Sequence, residues 1–115
     1  MDEYALIMRH EDGMKVASPE QIQVWMKQTM DWIQTIAAQN KFVSGTGLPF
    51  ENARVVTNKN SKKVVTNGPF VETKEILGGY LIIRANSIDE AADIAKSAPI
   101  VGSGSIEIRG LYSGK

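Results

Sequence analysis

Apolar residues recur along this chain with two different periods, and the switches between them divide it into elements. Residues 4–8, "YALIM", form a short apolar run bounded by charges, and the "HEDG" that follows supplies turn-forming side chains, so a first strand is predicted there. A three- and four-residue spacing then takes over. Ile22, Trp25, Met26, Thr29, Trp32, Ile33 and Ile36 fall on one face of a helix running to about residue 39. Its start is written in "SPEQ", where Ser18 can cap, Pro19 suits the first helical position and Gln21 completes a capping box. "KFVSGTG" predicts a short second strand, and "ARVVTNKNSKKVVTNG" a hairpin whose two "VVT" arms flank an Asn/Lys/Ser turn. "GGYLIIRA" is almost continuously apolar, as expected of a strand central in its sheet. Ser87 and Glu90 make a second capping box before Ala91, Ile94, Ala95 and Ala98, small residues that let a helix approach a sheet closely. Pro99 ends that helix, and "SIEIRGL" alternates apolar and charged residues as a last strand.

The order strand, helix, strands, strand, helix, strand predicts an α+β sandwich of ferredoxin-like topology, with two helices on one face of an antiparallel sheet, in a single domain over residues 1–115. Side chains alternate along a strand, so Tyr80 and Ile82 oppose Leu81 and Ile83, while Tyr4, Leu6 and Met8 oppose Ala5 and Ile7. Both faces are therefore apolar, whereas two helices cover one. The uncovered face predicts a homodimer packed sheet to sheet. In the last strand Ile106 and Ile108 turn to the helices and Glu107 and Arg109 to the uncovered side, where charges must pair or line a wet cavity.

Composition narrows the functional classes. Thirteen basic residues balance thirteen acidic ones, which removes the electrostatic footprint of a nucleic-acid or anionic-membrane binder. No cysteine is present, so thiolate metal sites, disulfides and thiol nucleophiles are excluded together. "MDEYALIMRH" lacks the basic start and long apolar core of a secretory signal, no apolar stretch is long enough to span a membrane, and a cytoplasmic protein is expected. The glycine-rich pieces "SGTG" and "VGSGS" lack the spacing of a dinucleotide or phosphate loop, and no cofactor motif is visible.

At "NGPFVETKEILGGYLII", with "GSIEIRGL" closing the chain, the sequence resembles the YCII-related family, in particular the branch of DGPF-domain proteins. The likeness extends through the opening strand, "SPEQ", "GTGL", the hairpin, "GPFVETKE" and "DEAADIA". It implies a ferredoxin-like fold, dimerisation as an α/β barrel, and a pocket for a small molecule. Some relatives are encoded beside sigma factors, which implies a regulatory role and a protein partner as the competing reading. Two departures matter: Asn67 replaces the Asp that names the branch, and the His–Asp pair proposed for another branch has no counterpart, since the first helix lacks histidine and Ala98 precedes Pro99.

The candidate chemistry gathers at "VETKE". Glu72, Thr73, Lys74 and Glu75 either solvate a connection or form the polar rim of a pocket in which Lys74 holds an anion and a carboxylate moves a proton. Glu107 and Arg109 join them in the functional reading, with Phe70 as a core anchor and Asn67-Gly68-Pro69 as a turn. His10, the one histidine, is a surface residue or a catalytic base, and its neighbours Glu11 and Asp12 diverge too much in a strand or turn for a good metal site. Trp25 is either core or an aromatic pocket wall. The expected activity is cofactor-free acid–base chemistry of the isomerase or lyase type on a small anionic or oxygen-rich ligand.

Overall fold

The computed structural model describes residues 1–10, 18–48, 52–68, 76–102 and 104–112. In chain order these form β1 (Asp2–His10), α1 (Pro19–Ala38), β2 (Phe42–Gly47), β3 (Ala53–Lys59), β4 (Lys62–Gly68), β5 (Ile76–Ala85), α2 (Ile88–Lys96), a short 3₁₀ turn (Pro99–Gly102) and β6 (Gly104–Gly110). Four strands pair in the order β2-β5-β1-β6, all antiparallel, which with the two helices makes the ferredoxin-like α+β fold. The hairpin β3-β4 stands apart as a two-stranded sheet of its own.

Both helices begin where the capping boxes predict. The Ser18 Oγ accepts from the Gln21 N–H at 3.2 Å, and the Ser87 Oγ accepts from the Glu90 N–H at 3.1 Å. These bonds satisfy donors that the first turn leaves without helical partners. At the far end of α1 the chain reverses through Asn40, whose φ of 64° is one that asparagine tolerates better than most residues. The Asn60-Ser61 turn of the hairpin has φ of 52° and 66°, the pattern of a two-residue loop matched to strand twist.

The core lies between the helices and one face of the sheet. Leu6 sits between Leu81 and Ile108, and Met8 between Gly79 and Ile106. Trp32 and Ile36 of α1 and Ala91, Ala95 and Ala98 from α2 and its exit close over them. Leu6, Leu81 and Ile83 are fully buried, each worth about 1.5–3 kcal/mol of transfer free energy. The Trp32 Nε1–H donates to the Ile94 carbonyl at 3.3 Å and to the Ser97 Oγ at 3.1 Å, which ties α1 to the end of α2 without stranding a polar atom in the core. Gly45, opposite Leu81, is required by close approach: a Cβ there would stand 2.6 Å from the Tyr80 carbonyl oxygen.

Two local expectations are corrected. Met26 is 63% exposed, because the buried stripe of α1 is centred on Trp25, Thr29, Trp32 and Ile36 and Met26 falls at its margin. Of the expected Asn67-Gly68-Pro69 turn, Asn67 and Gly68 are instead the last strand residues of β4, paired with Arg54 and Ala53, and Pro69 lies outside the described residues.

Candidate functional site

Among the described residues no helix lies over the sheet's other face, and its register sets out two rows across all four main strands. One runs Arg109, Ala5, Ile82, Ser44, and the next Glu107, Ile7, Tyr80, Thr46. Each begins with a charge on β6, crosses apolar side chains on β1 and β5, and ends in a hydroxyl on β2. Ile106 and Ile108 pack on the core, so alternation fixes Glu107 and Arg109 on the open side, as the sequence predicts.

Charge on this face is organised around Glu107. Its Oε1 lies 2.7 Å from the Arg9 guanidinium and its Oε2 lies 3.8 Å from that of Arg109. A carboxylate between two guanidiniums leaves a net positive patch with the planar, multiple-donor geometry suited to oxyanions. Next to it Ala5, Ile7, Arg109, Leu111 and Tyr112 line a shallow open groove of about 770 Å3. At the other end of the strands Glu3 and Arg84 approach to 4.0 Å. Arg9 is the site residue that sequence reasoning missed. Its signal was available: two residues after Ile7, alternation puts it on the same face as Glu107.

His10 is positioned by glycine. A register shift between Met8 and Arg9 leaves Gly78 of β5 opposite no residue of β1, and the His10 imidazole occupies the space where a Cβ on Gly78 would lie. Alternation turns His10 away from the side of Arg9, so the fold does not bring it into the Arg9–Glu107–Arg109 group. Trp25 is half-buried on α1, on the helix side. Asn67 is exposed on the hairpin. Phe70, Glu72, Thr73, Lys74 and Glu75 lie outside the described residues.

Away from the open face, Lys41 reaches Glu90 at 2.9 Å and Asn86 donates to the same carboxylate at 3.0 Å. Lys41 first and Asn86 second hold the Glu90 carboxyl below its ordinary value, against an opposing effect of desolvation. Among the described residues, no group of three or more His, Cys, Asp or Glu side chains is arranged to hold a metal ion, and no helix is long and apolar enough to cross a membrane.

This arrangement can be set beside known proteins. The sequence model of the YCII-related domain matches residues 3–113. The chain belongs to the YCII-related family. An uncharacterized protein of Rhizobium meliloti (strain 1021) is 36% identical over 84 residues, spanning 65% of this chain and 68% of that one. Among solved structures, this YCII-related chain is similar to 5-chloro-2-hydroxyhydroquinone dehydrochlorinase from Burkholderia phenoliruptrix AC1100, in complex with 2,5-dihydroxybenzoquinone. The TM-score is 0.50, over 95% of this chain and 93% of that one, at 17% identity. At that identity the likeness is one of fold.

Proposed function

We propose that this YCII-related protein binds a small anionic or oxygen-rich molecule on the open sheet face, covered by a second copy of the chain, and moves a proton on it without a cofactor. The observation that carries the reading is the Arg9–Glu107–Arg109 row beside the groove walled by Ala5 and Ile7. Charged donors next to an apolar wall are the usual composition of a small-molecule site: the wall takes the body of the ligand and the donors fix its orientation. An uncovered face with apolar residues at its centre is also a typical contact surface. Covering it would remove water from the guanidiniums and strengthen their hold on an anion.

In this reading Arg109 holds the anion together with Lys74, and Glu72 exchanges the proton, in chemistry of the isomerase or lyase type. Support for the ligand class comes from the fold neighbour, which is held with a small ring bearing four oxygens. A thermal-shift titration with 2,5-dihydroxybenzoquinone, alongside a panel of small carboxylates, phosphates and phenols, tests the proposal. The expected result is a melting temperature that rises with ligand concentration, a rise that Arg109→Ala removes. No shift from any compound in the panel overturns it.

A further inference from the structure

The hairpin β3-β4 is the part of the molecule that its own domain does not explain. Among the described residues it pairs with no strand of the main sheet. The radius of gyration is 15.9 Å, against about 13 Å expected for a compact chain of this length. The molecule measures 46 × 44 × 18 Å, and the short dimension is that of one sheet with one layer of helices, so the hairpin adds no third layer over either. An isolated two-stranded hairpin is marginal in water. This one nevertheless presents Val56 and Val65, directly paired across the strands, at 64% and 62% exposure.

Its charge is equally one-sided. The arm carries Arg54, Lys59, Lys62 and Lys63 and no acidic residue. The chain has thirteen of each sign, so taking those four away leaves nine basic against thirteen acidic residues in the remainder. Arg54 and Lys63 flank the valine pair on the same face, since both stand two residues from a valine along a strand. The arm is thus cationic and valine-centred, while the remainder of the same polypeptide carries a net negative charge.

We propose that the arm packs its Val56/Val65 face against the body of a second copy, so that two chains clasp each other through their hairpins. The inference rests on the two-copy part of the functional reading and adds to it the element that does the clasping. It also gives the exposed valines a role that a solvated hairpin tip would not need.

Sedimentation equilibrium on the wild-type chain and two double variants tests it. V56D/V65D places charges in the contact, and V56T/V65T keeps the β-branched shape that favours the strand while removing apolar surface. Both are expected to weaken the dimer about tenfold or more, with circular dichroism unchanged. A benzophenone attached at Val56→Cys, in a chain that has no other cysteine, is expected to give a covalent dimer on irradiation. A wild-type dimer that both variants leave equally tight overturns the clasp and leaves the sheet-to-sheet assembly standing. A wild-type monomer overturns both. Binding of the wild-type arm to a DNA or RNA oligonucleotide, with dimer affinity unchanged in the variants, also overturns it and assigns the basic arm to a polyanion.

Discussion

One sheet presents two faces that differ in almost every respect. On the helix side Leu6, Met8, Leu81 and Ile83 are buried, and no polar side chain is buried among the described residues. On the open side the same strands display Arg9, Glu107 and Arg109 around Ala5 and Ile7. The period of two that builds a core with one set of residues places the alternate set at solvent, so stability and recognition are encoded in interleaved positions. The contrast predicts that truncations on the first face change stability and those on the second change binding.

Leu81→Ala probes the buried face most severely. Leu81 is 1% exposed, and its truncation leaves a cavity beneath Leu6 and the helices, so a loss of about 2–5 kcal/mol is expected in urea unfolding. A loss under about 1 kcal/mol would mean that the helix layer is loosely packed and the two faces are less distinct than described. Trp32→Phe is milder. It keeps most of the apolar volume but withdraws the donor from the Ile94 carbonyl and the Ser97 hydroxyl, for roughly 1 kcal/mol.

Arg109→Ala tests the open face from the other direction. The side chain is 69% exposed and its contact with Glu107 is 3.8 Å, so stability should change by no more than about 0.5 kcal/mol. Ligand-induced stabilisation should nonetheless disappear. A variant that loses stability heavily would mark Arg109 as a structural ion-pair member and move the binding site elsewhere.

The division between the faces was legible in sequence because its signals are local. Alternation in "YLII" and "SIEIRGL" assigns Leu81, Ile83, Ile106 and Ile108 inward and Glu107 and Arg109 outward, and both capping boxes mark their helices from four residues each. Long-range facts were not so encoded. That Arg9 meets Glu107 depends on the register of β1 against β6, which only the assembled sheet fixes. Gly78 reads as one of a strand glycine pair, and its relation to His10 appears only once the register shift after Met8 is seen. Asn67 reads as a turn residue by propensity, yet cross-strand pairing with Arg54 keeps it extended. The hairpin was evident from its arms, but nothing local says that it pairs with no other strand.

The smallest expected effect lies on the helix side, where Lys41, Asn86 and Glu90 form a polar contact outside the apolar core. Glu90 titrates below the ordinary glutamate value of 4.5 because Lys41, and then Asn86, favours its charged form. A carboxyl whose pKa is lower in the folded chain than in the unfolded one adds stability that is fully present above the unfolded pKa. That contribution is lost as pH falls through the folded pKa. Glu90→Gln should therefore lower the urea midpoint slightly at pH 7, and the gap from wild type should close as pH falls below the ordinary glutamate value and the wild-type carboxyl takes up its proton. Lys41→Met should narrow the pH dependence in the same window, since it removes the larger cause. A gap that stays constant into acid would mean that the glutamine has changed packing rather than charge. The helix side would then owe nothing measurable to electrostatics, and the contrast between the two faces would be sharper still.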